Sequence, residues 1–189
     1  EIANVSYLSL GRLAPFYEGI EMSLAERMLI RALTLAYGGS ATKVTASYKK
    51  LGDLGEVAAK LSSQLPAKSA RLTVTEVHTQ MYQIATTSGA GSQLKKLTLL
   101  SVLLKNSDPL SAKYLIRIII NKLRLGFSDK TLIEALSWMA TGGKGLKGEL
   151  ERAYFVHPDI GELAANFKKD GLRGLNKLQV TVCVPVMPQ

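Results

Sequence analysis

Cysteine, histidine and long apolar runs are the scarcest features of this 189-residue sequence. Cys183 is the single cysteine, so no internal disulfide can form, and this favours a reducing, intracellular setting. No basic-then-apolar leader opens the sequence, and no uninterrupted apolar run reaches the roughly 20 residues that a membrane helix needs. We therefore expect a soluble protein with no membrane partner.

Residue patterns for catalysis and metal binding are also missing. The two histidines, His78 and His157, lie far apart without the spacing of a metal pair, and no Ser/His/Asp arrangement is evident. Asp53 and Asp159 each precede a glutamate by three residues, which helix caps explain better than an acidic catalytic pair does. The sequence therefore predicts neither a metal site nor a catalytic site.

Positive charge, in contrast, is abundant. Lysine and arginine total 24 against 15 acidic residues, which leaves a net charge of +9. Such an excess favours a polyanionic partner, although it carries no information about the fold. Because apolar residues make up 47% of the chain, a substantial hydrophobic core is expected as well.

Helix-start signals recur along the chain. Four follow the capping-box pattern, in which a polar side chain accepts from free N–H groups of the first turn: Ser23-x-x-Glu26, Asp53-x-x-Glu56, Thr73-x-x-Glu76 and Asp159-x-x-Glu162. Asp108-Pro109 is a fifth start, since the N–H that proline lacks would be unsatisfied there anyway. Only Leu178 to Val184, with alternating valine and threonine, is typical of extended chain. The sequence thus predicts an all-α protein.

Three stretches from the first part of the chain return in the same order in the last part. They are LIRALTLAYGG (29–39) with LIEALSWMATGG (132–143), DLGEVAAKL (53–61) with DIGELAANF (159–167), and more loosely LSLGRLAP (8–15) with IIINKLRLG (118–126). Two related helical units therefore face each other in our prediction. Trp138 and Met139, in the repeated apolar helix, are predicted core residues.

We predict from this repeat a single compact helical domain over residues 1–176. Its pseudo-two-fold halves would span roughly 1–65 and 109–176, joined by 66–108, because two units are too few for an open solenoid. Residues 177–189 would form a short extended linker.

Paired halves would present two similar surfaces, which suits a ligand with two-fold character such as duplex DNA. The clearest candidate contact segment is Asn121-Lys122-Leu123-Arg124-Leu125-Gly126. Its two leucines cannot share a helix face, so we expect the helix to end here and Gly126 to turn the chain. Lys122 and Arg124 would project from a helix C-terminus, where cations are favourable, and an ordinary solvated helix end is the alternative.

A second candidate segment is the glycine loop 89–91 and the helix that follows it. With Ser92 as cap and Gly91 before it, the helix start would offer free N–H groups to a phosphate. Lys95 and Lys96 in the first turn oppose the helix dipole unless an anion lies there. The spacing is not that of a P-loop, so a phosphate contact is predicted rather than a nucleotide site.

Four longer segments resemble the N-terminal DNA-binding domain of the ATP-dependent DNA ligases of archaeal and eukaryotic type. They are YLSLGRLAPFYEGIEMSLAERMLIRAL (7–33), GDLGEVA (52–58), SGAGSQLKKLTLL (88–100) and KYLIRIIINKLRLGFSDKTLIEAL (113–136). The resemblance runs in family order from about Val5 to the end of the sequence. It implies an all-helical domain that binds duplex DNA without sequence preference, across the minor groove opposite a nick.

The resemblance also implies which residues contact DNA. The family's Gly-Arg-Leu-Arg-Leu-Gly stretch falls on residues 121–126, where Asn121 replaces a glycine and Lys122 replaces an arginine. Its serine-led helix start falls on Ser92, and the internal repeat adds weaker candidates in the other half. The full predicted set is Gly11, Arg12, Gly52, Gly55, Gly91, Ser92, Lys95, Lys96, Asn121, Lys122, Arg124 and Gly126.

The implied parent protein seals nicks during DNA replication, repair and recombination. It would use ATP and Mg²⁺ to adenylylate a lysine, pass AMP to the 5′-phosphate and join the 3′-hydroxyl. This chain would bind neither cofactor, would be inactive alone, and would work beside adenylation and OB-fold domains that follow the linker. The family usually has one more helix before Glu1. We expect a monomer, cytoplasmic and nucleoid-associated in a prokaryote or nuclear in a eukaryote; a sliding clamp is a further possible partner, without a recognisable binding motif.

The stretch Lys168-Lys169-Asp170-Gly171 matches the K-x-D-G signature of covalent nucleotidyltransferases. A nucleophilic lysine needs a lowered pKa and a nucleotide pocket around it, and too few residues follow to build one. We therefore interpret Lys168 as a helix exit. Two alternative functions remain: a helical scaffold for an acidic protein partner, and a stand-alone nucleotidyltransferase that uses Lys168.

Overall fold

The fold is known from a computed structural model that describes residues 1–22, 24–66 and 72–187. Every regular element in these ranges is a helix, which confirms the predicted all-α class. The α-helices are α1 (Ile2–Ser9), α2 (Glu26–Tyr37), α3 (Ala41–Leu51), α4 (Leu54–Ser62), α5 (Val74–Thr86), α6 (Ser92–Lys105), α7 (Pro109–Ile119), α8 (Asp129–Thr141), α9 (Lys147–Val156), α10 (Ile160–Asp170) and α11 (Leu172–Leu175), with a 3-10 turn at Phe16–Glu18. Within the described ranges, none of them is long and apolar enough to span a membrane.

The chain divides into two compact units. The terminal unit comprises Glu1–Gly19 and Leu125–Gln189, and the central unit comprises Ile20–Arg124. In the central unit, α4 packs against α7, α2 packs against α6, and α3 and α5 pack beside them. In the terminal unit, α1 packs against α10, which also contacts α8, α9 and α11.

These units do not follow the predicted halves 1–65 and 109–176. Helix α1 comes from the first predicted half but packs on α10 from the second. Helix α7 comes from the second half but packs on α4 from the first. Because α1 matches α7 and α4 matches α10 in the internal repeat, each unit combines one member of each repeated pair.

Amphipathic spacing explains the two cores. Along α2, the residues Leu29, Ile30, Leu33 and Ala36 recur every three or four positions and are all buried. The terminal core is built the same way from α8, α9, α10 and the residues after them: Ile133, Leu136, Leu150, Tyr154, Ile160, Leu163, Ala164, Phe167, Leu175 and Leu178. Each unit therefore buries its own apolar faces.

Most predicted helix starts are confirmed. Thr73 and Glu76 form a reciprocal capping box at α5, and Asp108 caps α7 by accepting from the N–H groups of Leu110 and Ser111. Asp53 and Asp159 cap α4 and α10, but their glutamates turn to other partners instead of reaching back. Helix α2 begins at Glu26 with Ala25 at the N-cap, and the predicted cap Ser23 lies outside the described residues.

Two predictions about apolar residues need correction. Trp138 and Met139 are each 53% exposed, whereas Ile133 and Leu136 of the same helix are buried. An apolar residue in a repeated helix is therefore not always a core residue. The run from 178 to 184 forms neither helix nor strand, and a turn at 182–183 with Cys183 at φ +67° interrupts its extended course.

Candidate nucleic-acid interface

The chain turns away from α7 at Asn121, five residues before Gly126, where the turn was predicted. Asn121 adopts a left-handed backbone with φ +54°, a conformation that asparagine tolerates better than most residues. Its N–H donates to the carbonyl of Ile118, and the N–H of Lys122 donates to the carbonyl of Arg117, both within about 3.0 Å. These two hydrogen bonds form a Schellman motif. Asn121 adopts the left-handed conformation that the glycine expected at this position would adopt.

Lys122 and Arg124 follow this turn in irregular chain and are exposed to solvent. Arg124 also has a left-handed backbone, with φ +59°. Its guanidinium lies 3.3 Å from Asp53 while more than half of the side chain stays exposed. Lys122 contacts no carboxylate in the described part of the chain. The two cations predicted to contact DNA are therefore accessible, and Arg124 is also fixed in position.

Asp53 is the centre of a charge cluster between α4 and α7. Arg117 donates to its Oδ2 at 2.8 and 3.1 Å and also reaches Glu56 at 3.2 Å, where Lys113 adds an ion pair at 2.6 Å. Burial alone would raise the pKa of Asp53. Hydrogen bonds from Arg117 and from the N–H of Gly55, with the nearby positive charges, outweigh burial and hold that pKa below its ordinary 3.8.

The equivalent turn in the terminal unit follows α1. Gly11 has φ +73°, and the N–H groups of Gly11 and Arg12 donate to Leu8 and Tyr7, in the same pattern as after α7. Arg12, however, is not free. Its guanidinium binds the Asp129 carboxylate at the start of α8, and only 21% of its side chain is exposed. A residue predicted as a DNA contact is therefore engaged inside the terminal unit.

The start of α6 differs from the prediction in one respect. Gly91, with φ +75°, occupies the N-cap position, and Ser92 is the first helical residue and not the cap. The Ser92 N–H donates to the carbonyl of Gly89, and that of Lys95 donates to Gly91. In the described part of the chain this leaves the N–H groups of Gln93 and Leu94 without a protein acceptor. The predicted free donors are present, on a helix that starts one residue earlier than expected.

A cleft of about 480 Å³ opens at this helix start. It is lined by Met28, Arg31, Gly89, Gly91, Ser92, Gln93, Leu94 and Leu97. Lys95 is exposed in the first turn, whereas the ammonium of Lys96 donates to the carbonyl of Ala85 at the end of α5. Lys96 therefore satisfies a helix C-terminus, and Lys95 remains available to an anion.

The remaining predicted glycines have different surroundings. Gly52 ends α3 at φ +68° and is exposed, and Gly126 is exposed in the terminal unit at the same φ. Gly55 is buried in the first turn of α4, where a Cβ would stand 2.7 Å from the carbonyl oxygen of Lys113. Gly55 is thus placed to allow helix packing, and it is not placed to contact a ligand.

Arg27 and Arg31 were missed by the sequence prediction. They lie one turn apart on the exposed side of α2, opposite to its buried leucines, and Arg31 lines the cleft at the start of α6. The signal available in the sequence was an i, i+4 pair of arginines on the polar face of an amphipathic helix. Both arginines lie in the segment 7–33 that carries the family resemblance, and only Arg31 lies in the repeated block 29–39.

Lys168 lies in the last turn of α10, exposed to solvent, and Gly171 at φ +60° ends that helix. The Asp170 carboxylate binds Lys177 instead of facing a nucleotide site. Neither this cleft nor a second one, on α8, includes Lys168 in its lining. The surroundings are those of a helix exit, as predicted.

His157, Asp159 and Glu162 come together although their spacing suggested no metal site. Their ligand atoms lie within 4.8 Å of one another, and they are the one such group in the ranges that the structure describes. Each already has a structural partner: His157 Nε2 lies 2.9 Å from Glu162, and Asp159 caps α10 and accepts from the Tyr7 hydroxyl. This group is explained by packing and capping.

Comparison with known proteins adds a family to this geometry. The family model for the DNA ligase N terminus matches residues 1–137. The chain is 42% identical to the DNA ligase of Pyrobaculum calidifontis, aligned over 100% of this chain and 33% of that protein. It is 38% identical to DNA ligase 2 of Thermofilum pendens over 99% of this chain and 33% of the relative.

A third relative is DNA ligase 1 of Methanosarcina acetivorans, which is 42% identical over 90% of this chain and 29% of its own length. The chain therefore spans about a third of the length of the curated relatives that it matches.

Proposed function

Because this chain belongs to the family of DNA ligase N-terminal domains, we propose that it binds duplex DNA around a nick for an ATP-dependent DNA ligase. The binding is sequence-independent and runs across the minor groove. Its partners are nicked duplex DNA and the catalytic domains of the same parent protein. The observation that carries the proposal is the family match over residues 1–137.

The geometry after α7 supports this proposal. Lys122 and Arg124 are exposed on irregular chain that leaves a helix C-terminus, so both can approach a phosphate backbone. Arg124 is held at one end by Asp53, which reduces the side-chain entropy that DNA binding would cost. Left-handed turns at Asn121 and Gly126 bend the backbone on either side of them. Such a turn can approach a groove without presenting a sequence-reading helix.

Phosphate contact would supply most of the affinity. Each lysine or arginine that neutralises a phosphate releases counterions, so binding should weaken steeply as salt rises. Phosphate contacts set position and orientation but do not read bases directly. A ligase must act at nicks in any sequence, and this mode of binding meets that requirement.

The chemistry of ligation would belong to the rest of the parent protein, with ATP and Mg²⁺ as its cofactors. The residues described here do not fit a nucleotide site, because Lys168 is solvent-exposed at a helix end and lies in neither cleft. Its neighbour Asp170 is occupied by Lys177.

The proposal is tested by fluorescence anisotropy with a labelled nicked duplex at low and moderate salt. Lys122→Ala combined with Arg124→Ala should weaken binding several-fold and reduce the salt dependence of log K by up to about two units, one per phosphate contact. Lys168→Ala combined with Lys169→Ala is the matched control and should bind like the wild type.

Unchanged binding by the Lys122 and Arg124 variant would remove these residues from the interface. Failure of the wild type to bind nicked DNA, with capture of an acidic protein instead, would favour the scaffold alternative. A covalent AMP adduct on Lys168 after incubation with labelled ATP and Mg²⁺ would replace the proposal with a nucleotidyltransferase.

A further inference from the structure

All of the net positive charge lies in the central unit. That unit carries 15 lysines and arginines against 6 acidic residues, a net charge of +9. The terminal unit carries 9 of each sign, so its net charge is zero. The internal repeat predicted two similar surfaces. The two units nevertheless differ strongly in their electrostatic attraction for a polyanion.

The acidic residues of the central unit are mostly engaged locally. Asp53 and Glu56 bind Arg117 and Lys113, and most other carboxylates cap a helix or accept from a hydroxyl group. Consequently many cations there have no carboxylate within ion-pair distance in the described ranges: Arg27, Arg31, Lys43, Lys49, Lys50, Lys60, Lys95, Lys105 and Lys122. These charges are left to an external anion.

Cations of the terminal unit are neutralised to a greater extent. Five of its nine lysines and arginines form ion pairs with carboxylates of the same unit: Arg12, Lys144, Lys147, Arg152 and Lys177. Exposed pairs of this kind add little stability, but they cancel the local field that would attract a phosphate. The two units therefore differ in free charge as well as in total charge.

The matching helices α2 and α8 show the contrast at one position. Each helix borders a cleft, of about 480 Å³ in the central unit and about 560 Å³ in the terminal unit. Arg31 lines the first, and the equivalent residue Glu134 lines the second, where Lys144 and Lys147 bind it. The hydrogen bond from Lys144, with the charges of both lysines, holds the pKa of Glu134 below its ordinary value. The same surface is cationic in one unit and neutralised in the other.

We infer that the central unit supplies nearly all of the electrostatic affinity for DNA, and that Arg27 and Arg31 of α2 belong to its contact surface. The inference rests on the proposed function for the choice of DNA as the polyanion. Nine unpaired cations on the central unit can replace condensed counterions along a duplex. The terminal unit, with no net charge, contributes contacts that respond little to salt.

Two triple variants of the whole chain test this inference. Arg27→Gln, Arg31→Gln and Lys95→Gln remove three unpaired cations from the central unit. Lys168→Gln, Lys169→Gln and Arg173→Gln remove three exposed, unpaired cations from the terminal unit and lower the net charge equally. Kd for a nicked duplex is measured at four salt concentrations, and thermal unfolding followed by circular dichroism verifies that both variants are folded.

The central-unit variant should lose about tenfold or more in affinity, and its plot of log K against log salt should flatten by about two to three units. The terminal-unit variant should match the wild type within about twofold. Equal losses in both variants, or a larger loss in the terminal-unit variant, would overturn the inference while leaving DNA binding intact. Absence of DNA binding by the wild type would overturn the proposed function as well.

Discussion

Asp53 in the central unit and Asp159 in the terminal unit occupy matching positions, and they differ in what approaches them. Each caps a helix and is followed two residues later by a buried glycine against which the neighbouring helix packs. Asp53 meets the guanidinium of Arg117, whereas Asp159 meets the hydroxyl of Tyr7. The helices that bring these groups, α7 and α1, both end in a left-handed turn.

The different partners of Asp53 and Asp159 separate the geometric requirements of these helix junctions from the electrostatic ones. A cap, a glycine and a left-handed turn recur in both units, because the cap satisfies N–H groups at a helix start, the glycine lets two helices approach closely, and the turn ends a helix. The donor to the aspartate is free to change, provided that it fills the same space and donates a hydrogen bond. The central unit therefore has the cations Arg117 and Lys113 at its junction, and the terminal unit has the neutral Tyr7 at the matching place.

The largest expected contrast between the two units comes from removing each aspartate. Asp53→Ala should cost about 3–5 kcal/mol, because it removes the nearer and more buried of the two carboxylates that pair with the largely buried Arg117. Asp159→Ala removes the cap of α10 and the acceptor of the Tyr7 hydroxyl, so a loss of about 1–3 kcal/mol in unfolding free energy is expected. Urea unfolding measures both, and equal costs would contradict an electrostatic difference between the junctions.

The two packing glycines should respond next most strongly. Gly55→Ala and Gly161→Ala should each cost about 1–3 kcal/mol through overpacking. A Cβ on Gly55 would meet the backbone oxygen of Lys113 at 2.7 Å, whereas the three atoms nearest to one on Gly161 all belong to the Tyr7 side chain.

Tyr7→Ala should therefore relieve part of the cost of Gly161→Ala in a double-mutant cycle. Arg117→Ala should relieve less of the cost of Gly55→Ala, because it removes the Arg117 Cγ contact at 2.9 Å and leaves the backbone oxygen of Lys113 at 2.7 Å. Coupling of the same size in both cycles would show that the two junctions are constrained alike.

A smaller effect is expected from pH. The pKa of Asp53 is lowered in the folded protein, so its stabilisation is present above the unfolded pKa and is lost as the pH falls through the folded one. Wild type should be more stable than Asp53→Asn at neutral pH, and this difference should shrink as the pH falls below about 4. Urea unfolding from pH 7 to pH 3 measures it. A difference that does not change with pH would show that charge on Asp53 contributes nothing.

The smallest effect concerns the two left-handed turns. Gly11→Ala should cost about 1 kcal/mol, because alanine is strained at a positive φ. Asn121→Gly should change stability by less than about 0.5 kcal/mol, since asparagine already tolerates this conformation. Thermal unfolding of both variants gives the comparison. A large loss in Asn121→Gly would mean that the asparagine side chain, and not its backbone, holds the turn.

Much of the fold was accessible from sequence. Thr73 with Glu76 and Asp108 with Pro109 marked helix starts that the structure confirms, because capping depends on residues three or four positions apart. The N-cap of α6 was predicted at Ser92 but lies at Gly91, since a glycine in a left-handed conformation can also occupy a cap. The packing of α1 on α10 and of α7 on α4 could not be predicted, because it depends on contacts between segments that are distant in sequence.

The candidate interface was partly accessible. Lys122 and Arg124 are exposed as expected, but Arg12, their counterpart in the repeat, binds Asp129 more than a hundred residues away. Arg27 and Arg31 were overlooked because a charged helix face is ordinarily a solvated one. Sequence similarity between repeats identified equivalent positions, and it could not tell which of them remain free.

The spacing and composition of the residues were sufficient for the helical class, the caps, the repeat and the excess of cations, since these depend on neighbours along the chain and on simple totals. Folding decided which cations keep their charge unopposed and which surface they share. The physical reason is that a carboxylate neutralises whichever cation the fold brings within about 4 Å, however far apart the two residues lie in sequence.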